Sequence, residues 1–375
     1  MSDQVHDTER WFIKRGVPHF IASYNAREDV FTRALPFLIV AFLFSAISAI
    51  DLEWPWWGIA LAIGGGLGLL IGIWGLINRG RGRAPMTPPT SVGGVELAVF
   101  VLVPAVLPLV FGGDLAGVGI TVLAQLVVLA VVYVVTSYGL VAISRWAAGQ
   151  MIRSLAQTVR LFTRGLPLLL LGFMFLFINA EAWQSAGRLD HSLLIAVIAL
   201  FIVLAAVFLA TQVAREVEGV QHFDGWDEVA PLLGETPLAG ATSVDAFDPP
   251  RLSRREWGNV GLVVFVSQSF RIILVSALVA GFFVALGLLI IRPETIALWT
   301  GAEPSLMWRE FTWFGQSIHL TEELVSVAVF LAGFAGLYFS VYTATDPGLR
   351  AEFFDDTVGE VRQTVAVRAA YRQLV

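Results

Sequence analysis

Among the residues of this chain whose types and spacing could do chemistry, an acid pair comes first. Asp51 and Glu53 stand two apart at the end of an apolar run. Two carboxylates so placed can hold a divalent metal or serve as a base, as a lipid-linked transferase working at a membrane surface would require. The same pair, followed by Trp54, Trp56 and Trp57, also suits a helix end with an interfacial aromatic belt. Gln125, Thr136 and Ser137, with Asn179 and Glu181, are the groups able to line a polar path through otherwise apolar segments. Gln125 and Asn179 serve equally well as hydrogen-bonding groups between helices.

Other chemistries fail for want of residues. The chain has no cysteine, which removes disulfides, thiol catalysis and thiolate metal sites. None of its five histidines falls within an apolar run: His6, His19 and His222 lie in polar segments, and His191 and His319 at helix starts. An intramembrane haem therefore has no ligands. There is no His-Glu-x-x-His, no Gly-x-x-x-x-Gly-Lys-Ser/Thr and no Gly-x-Ser-x-Gly. No cofactor, no metal and no nucleic-acid partner is expected. A strongly ion-coupled carrier would keep an acid at mid-depth, and the apolar runs hold none.

The elements that must carry these residues follow from composition. Hydrophobic residues make up 57 % of the chain and charged residues 14 %, with a mean hydropathy of +0.74 and a net charge of −6. A water-soluble surface cannot be built from that mixture, so the expected class is all-α, a polytopic helical membrane protein with about eight transmembrane helices. The spans are expected near 34–50, 56–77, 95–111, 118–143, 166–183, 193–212, 271–291 and 323–344. Pro104 and Pro108 should kink the third. Together they form a transmembrane domain over 34–345, interrupted by a loop at 213–257 and an aromatic loop at 292–322. The second loop suits one or two short helices at the interface.

Residues 1–33 interleave cations with Trp11, Phe12, Phe20 and Phe31. They form an amphipathic segment that lies on lipid headgroups or packs on the protein as an arm. The first thirty residues show no cleavable signal. The tail, 346–375, has Phe354, Val358, Val361, Val365 and Ala369 at helical spacing and reads as an amphipathic helix.

One stretch occurs twice. Residues 31–44 and 162–175 share eight identities in fourteen positions, among them Phe31-Thr32-Arg33 and Phe162-Thr163-Arg164. Arg33, Arg164 and Arg271 each precede an apolar run and read as boundary arginines that snorkel to the headgroups. The alternative for Arg271 is one continuous helix over 260–291, with the cation deep in the membrane. The amphipathic stretches 148–164 and 257–269 precede two of these arginines, so the recurrent unit is an interfacial helix followed by a helical hairpin.

Small residues recur every four positions at Ala60, Gly64, Gly68 and Gly72, and again at Ala328, Ala332, Gly336 and Ser340. Such stripes let another helix approach closely, within the molecule or from a second copy.

Arginine is concentrated in alternate loops. The outer segments keep only Arg188, Arg292 and Arg309, which puts both termini in the cytoplasm. Arginine outnumbers lysine 23 to 1, a bias pointing to a bacterial plasma membrane. The function expected is that of a non-enzymatic integral membrane protein. It would transport or organise an apolar or amphipathic substrate, or scaffold an envelope complex. The alternatives are a small-solute channel or transporter, and a lipid-linked transferase using Asp51 and Glu53. Its partners would be membrane lipids and either a second copy or an envelope complex.

Overall fold

The computed structural model describes residues 2–22, 24, 34, 37–42, 64–65, 68, 71–72, 75–76, 78–80, 82, 97–98, 100–105, 115–242, 250–307, 311–313, 316–345 and 347–374. In chain order the named helices are α1 (Ser2–Lys14), α2 (Leu115–Ser137), α3 (Leu140–Phe177), α4 (Ala180–Ala186) and α5 (His191–Val220). They continue with α6 (Trp226–Val229), α7 (Arg254–Ile290), α8 (Pro293–Thr300), α9 (Glu322–Thr345) and α10 (Pro347–Tyr371). Short 3-10 turns cover Pro18–Phe20 and Ala230–Leu233, and a two-stranded hairpin pairs β1 (Phe311–Trp313) with β2 (Gln316–Ile318).

The protein is helical, and among the described residues four helices are long and apolar enough to cross a membrane: α2, α5, α7 and α9 as far as Thr343. The spans expected at 118–143, 193–212, 271–291 and 323–344 fall on them. Those at 34–50, 56–77 and 95–111 lie largely outside the described residues, as does most of the first copy of the repeated stretch.

Local chemistry breaks two expected spans and fuses two others. Helix α2 stops at Ser137 because Gly139 turns left-handed at φ +65°, which only a residue without a Cβ adopts cheaply. Helix α3 ends at Phe177, and the expected span 166–183 is thus two helices. Asn179 caps α4 by accepting the Glu181 N–H at 2.8 Å. The stretches 257–269 and 271–291 instead form one helix of 37 residues. It is started by a capping box in which the Ser253 hydroxyl accepts the Glu256 N–H and the Glu256 carboxylate accepts the Ser253 N–H. Likewise 148–164 continues without a break into the apolar end of α3. Within 292–322 the structure has one short helix, α8, and the hairpin. Aromatic and β-branched residues at 311–313 and 318 favour the extended chain there.

Two compact units make up the chain, residues 16–142 and residues 1–15 with 143–375. In the smaller unit, Val132 of α2 is buried with Ala34, Leu38, Phe42, Phe100 and Val101. In the larger, α5, α7 and α9 pack together, with the end of α3, α4 and α8 against one end of the bundle. There Phe177, Trp183, Phe283, Ile296, Leu324 and Leu331 are fully buried or nearly so. At the opposite end α10 packs on α1, α5, α6, α7 and α9. Its last turns bury Val365, Ala366, Val367, Arg368, Ala369, Ala370 and Tyr371 on every side. The expected amphipathic tail is thus a helix whose final turns present no solvent face.

Burial along α5 changes abruptly. Leu200, Ile202, Val203, Leu204, Val207 and Phe208 are exposed, whereas Leu209, Gln212, Val213, Val217 and Val220 are buried. A run of exposed apolar side chains is stable only in lipid. Past Phe208 the helix hides its apolar groups as a soluble protein does.

Candidate functional site

Helix α7 carries a buried stripe at helical spacing whose character changes half-way. Up to Arg271 it mixes polar Glu256, Asn259, Ser267, Gln268 and Arg271 with Val260, Gly261, Val263 and Val264; beyond it, Val275, Val279, Phe283 and Gly287 are all apolar. The polar half lies where α10 packs, so a charged network forms between elements distant in sequence.

Its centre is Glu256. Arg368 donates from Nε to Glu256 Oε1 at 2.7 Å and from Nη2 to Oε2 at 2.9 Å, a two-pronged pair with both side chains 4 % exposed. Arg368 Nη1 donates to the Pro250 carbonyl at 2.8 Å, and Arg372 Nη2 adds a bond to Glu256 Oε1 at 3.3 Å. Glu256 sits in the first turn of α7, about 24 Å of helix ahead of the apolar run that opens at Ile272. Burial pushes its carboxyl up, but the hydrogen bond from Arg368, the Ser253 N–H and the Arg368 charge outweigh that and hold it below its ordinary value.

The rest of the network fastens α10 to its neighbours. Arg271, 6 % exposed, donates from Nη2 to Thr357 Oγ1 at 3.2 Å. Gln363 Nε2 donates to the Leu232 carbonyl at 3.1 Å, and Arg362 pairs with Glu228 at 3.0 Å on the surface. Helix α1 closes the assembly: Tyr371 donates its hydroxyl to Glu9 at 3.0 Å, Phe12 meets Tyr371 edge-on, and Arg15 reaches Thr364 at 3.4 Å. Residues 2–15 of the amphipathic segment therefore pack on the protein. The geometry is that of a clasp: the Glu256 carboxylate is surrounded by donors and offers no base.

At the other end the contacts are aromatic. Trp183 donates Nε1–H to the Phe177 carbonyl at 2.6 Å, which satisfies a group freed where α3 ends, and its ring packs on Phe177 and Trp299. Arg188 caps α8 at the Thr300 carbonyl, and Glu323 accepts the Ser305 N–H at 3.0 Å.

The polar-path residues divide between the two units. Gln125, Thr136 and Ser137 belong to the smaller unit, Asn179 and Glu181 to the larger, where both are exposed. Gln125 is buried and, among the described residues, its Oε1 has no hydrogen-bond partner. Thr136, eleven residues on, returns to about the same face of α2, while the buried Ser137 is roughly a third of a turn away. The Ser137 carbonyl accepts the Tyr24 hydroxyl at 3.3 Å. Arg33, Asp51 and Glu53 lie outside the described residues, and Arg164 is described only as backbone of α3. Among the described residues no cluster of three or more His, Asp and Glu side chains is arranged to hold a metal.

The two small-residue stripes differ. On α9, a methyl at Gly336 would collide with Ser276 of α7, one at Gly333 would come within 2.6 Å of Ile198 of α5, and the Ser340 hydroxyl donates to the Ala205 carbonyl of α5 at 3.2 Å. Ala328 and Ala332 are buried in the same core. Among the described residues, a methyl at Gly64, Gly68 or Gly72 would meet nothing within 4 Å.

Sequence reading does not single out Glu256, Asn259, Ser267 or Thr357, and it takes Gln268 only as the counterpart of Gln157 in the amphipathic stretch 148–164 and Arg368 only as a cation beside the apolar face of the tail. The Ser253-x-x-Glu256 spacing is a legible capping signal, but nothing local to it names Arg368. No protein-family model matches this chain, and no curated protein or solved structure matches it.

Proposed function

We propose that this chain is a non-enzymatic, multi-pass scaffold of a bacterial plasma membrane, with both termini cytoplasmic and about eight spans built partly from a repeated hairpin. The observation that carries the reading is the close packing of α9 on its neighbours, with Ile272 and Ser276 of α7 against Gly336 of the stripe and Ile198 and Phe201 of α5 against Gly333 beside it. A conduit through the α5–α7–α9 bundle would need space there. The spacing of polar and apolar burial supports a second part of the reading. Helices α5 and α7 measure about 45 and 55 Å against a hydrocarbon core of about 30 Å. Their excess, on the side of the clasp, forms with α10, α6 and α1 a helical platform in the cytoplasm. Arginine placement supports that orientation, because Arg251, Arg254, Arg255, Arg362, Arg368 and Arg372 all lie on this side.

Proteoliposomes test the scaffold. Purified protein is expected to pass no ions in a dye-quench assay and to leave lipid scrambling at the protein-free rate. Extraction into polymer-bounded native discs is expected to keep a stoichiometric second protein or second copy. Flux of either kind, or a lone monomer in native discs, would overturn it.

A second reading has one observation in its favour. The buried Gln125 Oε1 without a partner is the kind of group that a passing solute or water would satisfy. A small-solute channel through the smaller unit predicts that cysteines placed at 125 and 136 react with water-soluble thiol reagents, and protection of both removes it.

A further inference from the structure

Residues 16–142 form one compact unit, so the chain enters it between Arg15 and Gly16 and leaves it between Ala142 and Ile143. A left-handed glycine stands at each passage: Gly16 has φ +76°, and Gly139, three residues before the exit, has φ +65°. The two glycines lie side by side. A Cβ on Gly139 would come within 3.4 Å of both Cα and O of Gly16 and within 3.3 Å of Cδ of Pro18.

The chain around them is held. Before Gly16, Phe12 is buried edge-on to Tyr371, and Arg15 donates to Thr364 Oγ1 at 3.4 Å. After it, Val17 and Phe20 are buried, and His19 packs edge-on to Tyr24 and Tyr138 with ring centroids 5.2 and 5.3 Å away. The Tyr24 hydroxyl donates to the Ser137 carbonyl, which ties the entering stretch to the leaving one. Ile143, the first residue past the exit, is fully buried.

Backbone rotation is therefore cheapest at the two glycines. Glycine holds φ of either sign at similar energy, whereas its neighbours with side chains are held to negative φ. Two connections far apart would brace one body against another; two that pass through the same point leave a swivel. Only a residue without a side chain lets them come so close.

We propose that Gly16 and Gly139 form a paired hinge on which the smaller unit turns as a body relative to the larger. Such a joint gives the protein two arrangements of its helices without unfolding either unit.

The chain has no cysteine, so nitroxide pairs can be placed at chosen sites on the full chain in nanodiscs. Arg79→Cys with Glu218→Cys spans the two units. Ala22→Cys with Arg79→Cys, and Glu218→Cys with Arg251→Cys, each lie within one unit, and all four sites are exposed. Double electron–electron resonance is expected to give the spanning pair a distance distribution about twice as wide as either control, or one with two peaks. G16A/G139A, which penalises positive φ, is expected to narrow it to one peak of control width. G16N keeps the left-handed conformation accessible and is expected to retain the breadth. G240A removes another left-handed glycine, at φ +79° with nothing within 4 Å of a Cβ among the described residues, and is expected to leave the distribution unchanged. Melting temperatures establish that each variant folds, and where the double variant does not, G16A alone carries the comparison with the same narrowing expected. A spanning distribution no wider than the controls overturns the proposal, as does one that the alanine variant leaves unchanged or that G240A narrows equally.

Discussion

Arg368, in the last turn of α10, grips Glu256 with two nitrogens at 2.7 and 2.9 Å, across 112 residues of sequence. Because Glu256 also closes the capping box of α7, the same carboxylate starts one helix and anchors another. Both charges are out of water and each is satisfied by the other, so the loss of either alone leaves the other buried without its partner.

Breaking the pair from one side should therefore be costly. Arg368→Ala strands a buried carboxylate and is expected to destabilise the fold by about 3–5 kcal/mol, read as a lower melting temperature and faster amide exchange in α10. Replacing both partners by apolar residues of similar size, Glu256→Leu with Arg368→Met, should recover most of that loss. A double variant as unstable as the single would show that the charges themselves are required.

Acid should loosen the same joint. Glu256 has its carboxyl held below the ordinary value of 4.5, so its contribution to stability is complete above that value and is lost as pH falls through the lower folded one. Unfolding followed downward from pH 5 should show this loss, and Glu256→Gln should flatten it. An unchanged acid profile in that variant would remove Glu256 as the titrating group.

Glycines of identical pattern should behave oppositely. Gly336→Val drives a side chain into Ser276 and is expected to cost about 1–3 kcal/mol, whereas Gly68→Val meets nothing within 4 Å among the described residues and should fall within about 0.5 kcal/mol of the parent. Thermal unfolding in nanodiscs measures both. Should Gly68→Val instead break up a dimer seen by mass photometry, the exposed stripe is where a second copy sits.

Trp183→Phe keeps most of the ring but removes the donor to the buried Phe177 carbonyl. The orphaned group should cost about 1–3 kcal/mol. Tryptophan fluorescence and the melting temperature would register the change, and an unaltered melting temperature would mean that water replaces the indole.

Gln125→Leu should do the reverse. With no partner for its Oε1, the amide is a buried liability, and its loss is expected to stabilise the smaller unit by about 1–2 kcal/mol. Destabilisation would mean that the amide is satisfied by something bound in the native membrane.

Much of this protein could be read residue by residue. Apolar runs long enough to cross a bilayer announce α2, α5, α7 and α9 because the membrane demands length and hydrophobicity from each helix by itself. Ser253 and Glu256 mark the start of α7 for an equally local reason, since a cap is made by neighbours in sequence. The breaks at Gly139 and Asn179 were less legible: both lie inside runs apolar enough to continue, and one φ angle or one side-chain cap stops them.

Partnership was decided by the tertiary structure alone. Helical spacing tells which residues share a face but not what that face meets, so Gly68 and Gly336 look alike in sequence and differ wholly in surroundings. Arg271 could equally have snorkelled or been buried until α10 brought Thr357 beside it. Arg368 reads as the polar edge of an amphipathic tail, and its burial against Glu256 depends on α10 folding back among α1, α5 and α7. Charge and periodicity are properties of one segment, whereas burial belongs to the pair, and only the folded chain chooses the pair.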